Sequence, residues 1–342
     1  MRAVPRRGLL SLFRKAEPDA PSGPLGRDGR LRSDLWLDQP DAAERIAARR
    51  AAGELSEEEA TELGHWAARG YSTFSLAAGE GLFDEVQGAV ERLWRERPSS
   101  VAMAYNSPLK LFRHADEPTD RRPGYRISNL HSASDGALEL YLHPAIHERV
   151  GRIFGQEPVA IQSIYFEWGS GQALHRDPMH VYTSPPAHLL GAWIALEDIG
   201  PDCGPLTYVP GSHLLPYYQF SPGEYRFEHG RHGDEELRRA EAFDLEQCRR
   251  RGLESELFTC RRGDVLLWHA SLLHGGAPLR DPGLTRKSLV IHFSTRNNYR
   301  RLRQTVVEPG ADGGAARSRV AGTDRLLERG GRVGFDNPLR EM

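Results

Sequence analysis

The sequence predicts a mainly β fold with flanking helices, arranged as an antiparallel barrel or jelly roll. From about residue 157, short apolar runs recur, each bounded by Gly, Pro or Asp: "PVAIQSIYFEWGS", "LLGAWIALEDIG", "GPLTYVPGSH", "GDVLLWHASLLHGG" and "RKSLVIHFSTR". No regular helical pattern separates most of them, which disfavours a doubly wound sheet with crossover helices. Ahead of residue 157 the texture is helical.

Taken in chain order, residues 1–40 read as a disordered tail and linker, rich in Pro, Gly, Asp and Arg without periodicity. Within it, Leu9, Leu10, Leu12 and Phe13 between Arg6, Arg7, Arg14 and Lys15 could form one turn of a membrane-surface helix, set against the frayed state usual for a terminus. Order is expected from about Gln39. A helical part over 41–156 follows, in which Ser56 and Glu59 form a capping-box start. Gly70 then turns the chain into a short strand, and Leu82, Val86, Val90 and Leu93 share one face of a further helix. The barrel is expected over 157–300. The polar stretch 219–251 interrupts it as an insertion beside the barrel mouth, with a helix over "DEELRRAEAFDLEQCRRR". The Gly- and Arg-rich residues 301–342 read as a loosely ordered tail.

Composition narrows the function. With 45 basic and 47 acidic residues the net charge is -2, so no basic field points to nucleic acid, and small-molecule chemistry is the default. Cys203, Cys248 and Cys260 stand far apart with no CxxC pair, against a zinc knuckle or a disulfide framework and in favour of a reducing, cytoplasmic setting. No apolar run reaches the roughly 18 residues needed to span a bilayer. The oligomeric state is not legible.

The chemistry centres on "GQALHRDPMH", residues 171–180. On a strand, residues i and i+2 share a face, so His175 and Asp177 can reach one metal while Arg176 points away. One further histidine would complete the two-histidine, one-carboxylate facial triad, which leaves three coordination positions open. Alone, H-x-D is also an ordinary solvated strand end. Candidates for the third ligand are His180, His188, His213, His269, His274 and His292. His274 ends the apolar run "LLHGG", where Gly275 and Gly276 would let a cosubstrate approach the backbone. Arg286 opens a strand pattern expected to return beside it, and a guanidinium there could hold a carboxylate bidentately.

H-x-D at 175–177, "WIALEDIGPDCGPLTYVPGSH" at 193–213, "GDVLLWHASLLHGG" at 263–276 and "RKSLVIHF" at 286–293 together resemble the phytanoyl-CoA dioxygenase family, in order and spacing over roughly residues 55–295. The resemblance implies a double-stranded β-helix, a cupin-like jelly roll that binds iron(II) and 2-oxoglutarate and uses O2. It implies His175, Asp177 and His274 as metal ligands and Arg286 as partner of the distal carboxylate of 2-oxoglutarate. Trp193 opens the strand where the family often sets a side chain against the cosubstrate. By strand parity, Ser288 shares a face with Arg286 and could add a hydroxyl, and Gln162 faces the barrel. Each of these three also reads as an ordinary strand residue. Met179, His180 and Tyr182, just past the triad strand, are expected to line the substrate pocket or merely to be exposed. His269 and His213 read as structural.

The implied reaction couples oxidative decarboxylation of 2-oxoglutarate to attack on an unactivated C–H bond. Asp177 favours hydroxylation over chlorination, because related halogenases carry Gly or Ala there; desaturation, epimerisation and ring closure use the same triad. Two rivals stay open: a non-catalytic barrel acting as a binding or scaffold module, and a cupin-type metal enzyme that does not use 2-oxoglutarate. Arg-rich runs near the barrel could meet an anionic substrate, but with 3 lysines among 45 basic residues arginine is the general cation here, and solvated surface explains them as well.

Overall fold

Between Ser288 and Ser294, Leu289, Ile291 and Phe293 pack into one apolar cluster while Val290 packs into another. This period-two division marks a strand buried on both faces, and it sets the architecture. The computed structural model describes residues 23–97, 102–105, 121, 123–228, 231–295, 304–308, 317–321, 326–336 and 339–341.

The helical part contains α1 (Ala42–Ala51), α2 (Glu57–Arg69), α3 (Glu80–Glu96), α4 (Asp135–Tyr141) and α5 (Pro144–Phe154), with strands β1 (Tyr71–Ser75), β2 (Ala102–Tyr105) and β3 (Tyr125–Ser128) among them. Helix α2 begins with the expected capping box. Ser56 Oγ accepts from the Glu59 amide at 3.2 Å, and Glu59 Oε2 accepts from the Ser56 amide at 2.9 Å. Helix α3 buries Phe83, Val86, Val90 and Leu93; Leu82, expected on that face, is only half-buried, because Phe83 takes the core position.

The barrel strands are β4 (Val159–Phe166), β5 (Leu190–Ala195), β6 (Leu206–Tyr208), β7 (Glu256–Phe258), β8 (Asp264–His269), β9 (His274–Gly276) and β10 (Ser288–Ser294), and α6 (Asp234–Arg251) fills the predicted insertion. The segments β11 (Gln304–Glu308), β12 (Arg317–Ala321), β13 (Leu326–Arg329), β14 (Arg332–Phe335) and β15 (Leu339–Glu341) follow. The major sheet runs β1-β8-β5-β10-β4-β14-β13, with β3 joined to β4 and β2 to β3. A second sheet runs β7-β6-β9, and a third β11-β12-β15.

One face of the major sheet, including Ala192, Ile194, Leu267, Leu289 and Ile291, packs on α3, α4 and α5 through Val86, Val90, Leu140, Ile146 and Val150. Its other face, with Trp193, Leu266, Trp268 and Val290, packs against Leu206, Tyr208 and Phe258 of the second sheet. The two sheets thus face each other as the halves of a jelly roll, and the site lies between them.

The ends of the chain differ from the expectation of unstructured tails. Leu35, Trp36 and Leu37 are buried in the helical core, and Trp36 Nε1 donates to Arg152 O at 3.0 Å, so packing begins before residue 40. At the other end, β13 and β14 form a hairpin about Gly330-Gly331, and β14 joins β4 in parallel through Val333 and Val159. The Gly-rich composition there conceals a two-residue hairpin turn. The N-terminal membrane-surface segment lies outside the described residues. No described helix is long and apolar enough to cross a membrane. Cys203, Cys248 and Cys260 are free.

Candidate metal centre

Ser170 to Asp177 runs beside β9, and His175 pairs with His274 as an isolated antiparallel bridge. Two backbone hydrogen bonds, 2.9 and 3.1 Å, close the pair. The approach is tight: a Cβ on Gly275 would stand 2.9 Å from Gln172 O, and one on Gly276 would stand 3.1 Å from Ser170 Oγ. The two glycines therefore serve the contact between these segments, where the sequence suggested room for a cosubstrate. Arg176 is extended, with φ -117° and ψ 133°, so His175 and Asp177 project to one side as the spacing requires.

His175, Asp177 and His274 converge, with one ligand atom from each within 4.8 Å of the others. His175 Nδ1 is bonded to Ala173 O and His274 Nδ1 to Leu272 O, both at 2.9 Å. A carbonyl can only accept, so each Nδ1 carries the proton and each Nε2 presents its lone pair. Asp177 Oδ2 accepts from Trp268 Nε1 at 2.7 Å, and Oδ1 lies 3.6 Å from His274 Nε2. Burial disfavours the Asp177 carboxylate, but protonation of the surrounding His274, His292 and His175 outweighs that cost and holds its carboxyl well below the usual range; with the imidazoles neutral, a bound cation takes the place of those protons. Two imidazole lone pairs and one ionised carboxylate fit a divalent first-row metal such as iron(II).

Arg286 is 2% exposed. Its guanidinium donates to Gly204 O at 3.3 Å and lies 5.6 Å from the Trp193 ring centroid, while Nε has no partner. Burial pushes its pKa down to about 10, so it stays cationic at neutral pH. Among the described residues no carboxylate pairs with it. Trp193 Nε1 and Ser288 Oγ are likewise buried without partners. Buried polar groups are rarely left unpaired, so three unpaired donors on one lumen face suit an anionic, oxygen-rich ligand. Trp193 also packs edge-on against Phe258, 5.7 Å between centroids.

Other candidates fall elsewhere. Gln162 faces the lumen as expected, but its Nε2 is bonded to His292 Nδ1 at 2.9 Å, which occupies the amide. His180 is half-buried, its ring 5.7 Å from that of His175 and 6.4 Å from that of Phe227. Tyr182 lies under the Arg226 guanidinium at 4.5 Å. Met179 is buried with Phe227, Ala240 and Leu237 in the apolar core of the insertion, which withdraws it from a pocket-lining position. Arg176 points away from the metal ligands but not into solvent. It is fully buried, bonded to Asp244 of α6 at 2.6 Å and to Leu215 O at 3.0 Å. His269 binds Asp38 at 3.3 Å and His213 binds Ala67 O at 3.2 Å, both apart from the metal ligands.

Trp268 and His292 are the site residues that sequence reasoning left aside as partners of Asp177. For His292 the signal was present, since the parity that sets Ser288 beside Arg286 carries on to residue 292. For Trp268 it was not, because the chain turns between Ala270 and Leu273 and breaks the parity count from His274.

Residues 120–288 match the family model for phytanoyl-CoA dioxygenase. The chain is 36% identical over 93 residues to phytanoyl-CoA dioxygenase domain-containing protein 1 of Bos taurus, covering 26% of this chain and 32% of that protein. It is 40% identical over 60 residues to the Danio rerio protein of the same name, covering 16% and 21% respectively. The chain thus matches about a third or less of the length of these curated relatives. Among solved structures, EctD from S. alaskensis with 2-oxoglutarate and 5-hydroxyectoine aligns with a TM-score of 0.52 at 20% identity, over 80% of this chain and 85% of that one. The non-heme alpha ketoglutarate dependent carbocyclase SnoK from nogalamycin biosynthesis aligns with a TM-score of 0.51 at 19% identity, over 73% and 88%. These likenesses establish the fold.

Proposed function

We propose, from the match of residues 120–288 to the phytanoyl-CoA dioxygenase family model, that the chain is a member of that family and an iron(II)- and 2-oxoglutarate-dependent dioxygenase. It hydroxylates an unactivated C–H bond of a small-molecule metabolite, biosynthetic or acyl-type, releasing succinate and carbon dioxide. The observation that carries this reading is the pairing of a His-Asp-His cluster with a buried guanidinium that has no counter-ion among the described residues. A scaffold has no need of both together, and a metal enzyme that does not use 2-oxoglutarate has no need of the guanidinium.

His175 and His274 would hold iron through Nε2 and Asp177 through a carboxylate oxygen. Bound iron(II) would supply dioxygen activation, coupling decarboxylation of 2-oxoglutarate to oxidation of the C–H bond. Arg286 receives the distal carboxylate of 2-oxoglutarate, with the Ser288 hydroxyl as a further donor, and this fixes which end of the cosubstrate faces the metal. Trp193, Leu206, Leu266 and Val290 wall the lumen and exclude water. His180 and Tyr182 stand past the ligand strand, where a substrate would meet them.

The test is anaerobic reconstitution with iron(II) and 2-oxoglutarate, then a screen of metabolites for stimulated succinate release. Succinate formation that needs both iron and 2-oxoglutarate and disappears in His274→Ala supports the reading. Metal binding with no 2-oxoglutarate binding would refute it in favour of a different metal enzyme.

A further inference from the structure

Three imidazoles crowd Asp177, and hydrogen bonding sorts them into two kinds. In His175 and His274, Nδ1 donates to a backbone carbonyl and Nε2 is the lone-pair atom. In His292 the arrangement is reversed. Its Nδ1 accepts from Gln162 Nε2 at 2.9 Å, so the proton sits on Nε2, which faces Asp177 Oδ2 at 3.4 Å. His292 therefore turns its N–H towards Asp177 without closing a hydrogen bond to it, although it is as deeply buried as His274.

Trp268 Nε1 reaches the same oxygen at 2.7 Å. Gln162, His292, Gly191 and Trp268 form one row across β4, β10, β5 and β8. Glycine in a fully buried strand interior weakens it and usually marks a close approach. Here a Cβ on Gly191 would stand 2.1 Å from the Trp268 ring, so the indole lies over the glycine to reach Asp177. Oδ2 thus accepts from Trp268 and has His292 Nε2 beside it at 3.4 Å, while Oδ1 stays on the side of the histidine lone pairs, 3.6 Å from His274 Nε2.

We propose that Trp268 and His292 are positioning residues that hold Oδ2 of Asp177 away from the metal, so that the carboxylate ligates through Oδ1 alone. This rests on the iron-site reading above. A bidentate carboxylate would take one of the three coordination positions that a facial triad leaves open for cosubstrate and oxygen. Trp268, His292, Gln162 and the side-chain-free Gly191 keep that position available.

The experiment uses the full chain, stripped of metal and titrated with zinc(II) as a redox-inert probe. Affinity is read by calorimetry. Carboxylate denticity is read from the metal-induced difference infrared spectrum, in which a monodentate carboxylate splits its two stretches more widely than a bidentate one. The parent protein is expected to bind one zinc with the wide splitting. Trp268→Phe, which keeps the ring and loses the donor, is expected to bind about 10–100-fold more weakly with narrowed splitting. His292→Phe is expected to do the same, and His292→Gln, which restores a donor, to recover the wide splitting. Unchanged affinity and splitting in both Phe variants overturns the proposal, as does weaker binding with the splitting unchanged. A parent protein that binds no zinc overturns instead the metal-site reading beneath it.

Discussion

His175 and His274 are direct cross-strand partners, each donating its backbone N–H to the other's carbonyl, at 2.9 and 3.1 Å. The same backbone contact that joins the ligand segment to the second sheet therefore sets the two imidazoles side by side, 4.5 Å between ring centroids. His274→Ala is expected to keep that backbone pairing, and with it the fold, while abolishing metal binding. His269→Ala should leave the metal stoichiometry unchanged, since His269 is bonded to Asp38 and to the Ser271 amide. Calorimetric metal titration of the two variants decides, and the opposite pattern would reassign the third ligand.

Arg286 yields a prediction with opposite signs for binding and stability. Its buried charge has no counter-ion among the described residues, so Arg286→Met is expected to raise the melting temperature of the cosubstrate-free protein. Removing one partner of a buried charge pair costs about 2–5 kcal/mol, so 2-oxoglutarate affinity should fall by at least about 30-fold. Thermal denaturation with and without 2-oxoglutarate measures both. A parent protein that 2-oxoglutarate fails to stabilise would count against Arg286 as the clamp.

What could be read from the sequence was what strand parity and local punctuation control. His175 and Asp177 share a side because one extended residue separates them, and Ser56 with Glu59 begins α2 because that cap is wholly local. Partners chosen by tertiary packing were not legible. Arg176 alternates away from the metal, which sequence takes as solvent, yet α6 arrives from the insertion and buries it against Asp244. Gly275 and Gly276 look like room for a cosubstrate, and each instead admits a neighbouring part of the chain. Trp36 and Leu37 sit in a composition typical of linkers and are nevertheless held in the helical core.

The buried Arg176–Asp244 pair ties the insertion helix to the ligand segment, with the guanidinium also 4.4 Å from the Tyr217 ring centroid. Asp244→Ala leaves a fully buried guanidinium without its carboxylate and is expected to cost about 3–5 kcal/mol. Replacing both partners with apolar residues, Arg176→Met with Asp244→Leu, should recover most of that loss. Urea denaturation of the single and double variants checks the sign. If the double variant is no more stable than Asp244→Ala, the Leu215 and Tyr217 contacts of Arg176 outweigh the ion pair.

Acid stability follows from histidines outside the metal centre. Burial pushes His131 down to about 3, His147 to about 4 and His213 to about 3. Unfolding returns each to the ordinary value near 6.5, so between that value and about 3 the unfolded chain binds more protons than the folded one. Stability is then fully present above about pH 6.5 and is lost as the pH falls through this window. Burial keeps each of them neutral, and it outweighs the carbonyls that accept from their rings, Phe335 O for His131, Tyr141 O for His147 and Ala67 O for His213; His131 is also stacked on Tyr141 at 3.8 Å. Urea midpoints measured from pH 7.5 to 4.5 should therefore decline steadily below about pH 6.5, with up to three protons taken up on unfolding. His131→Gln should flatten the slope by up to one proton while lowering the midpoint at pH 7.5, where the loss of the stacked ring is felt without any titration. A slope unchanged by the substitution would mean that His131 takes up its proton in the folded state, against its burial.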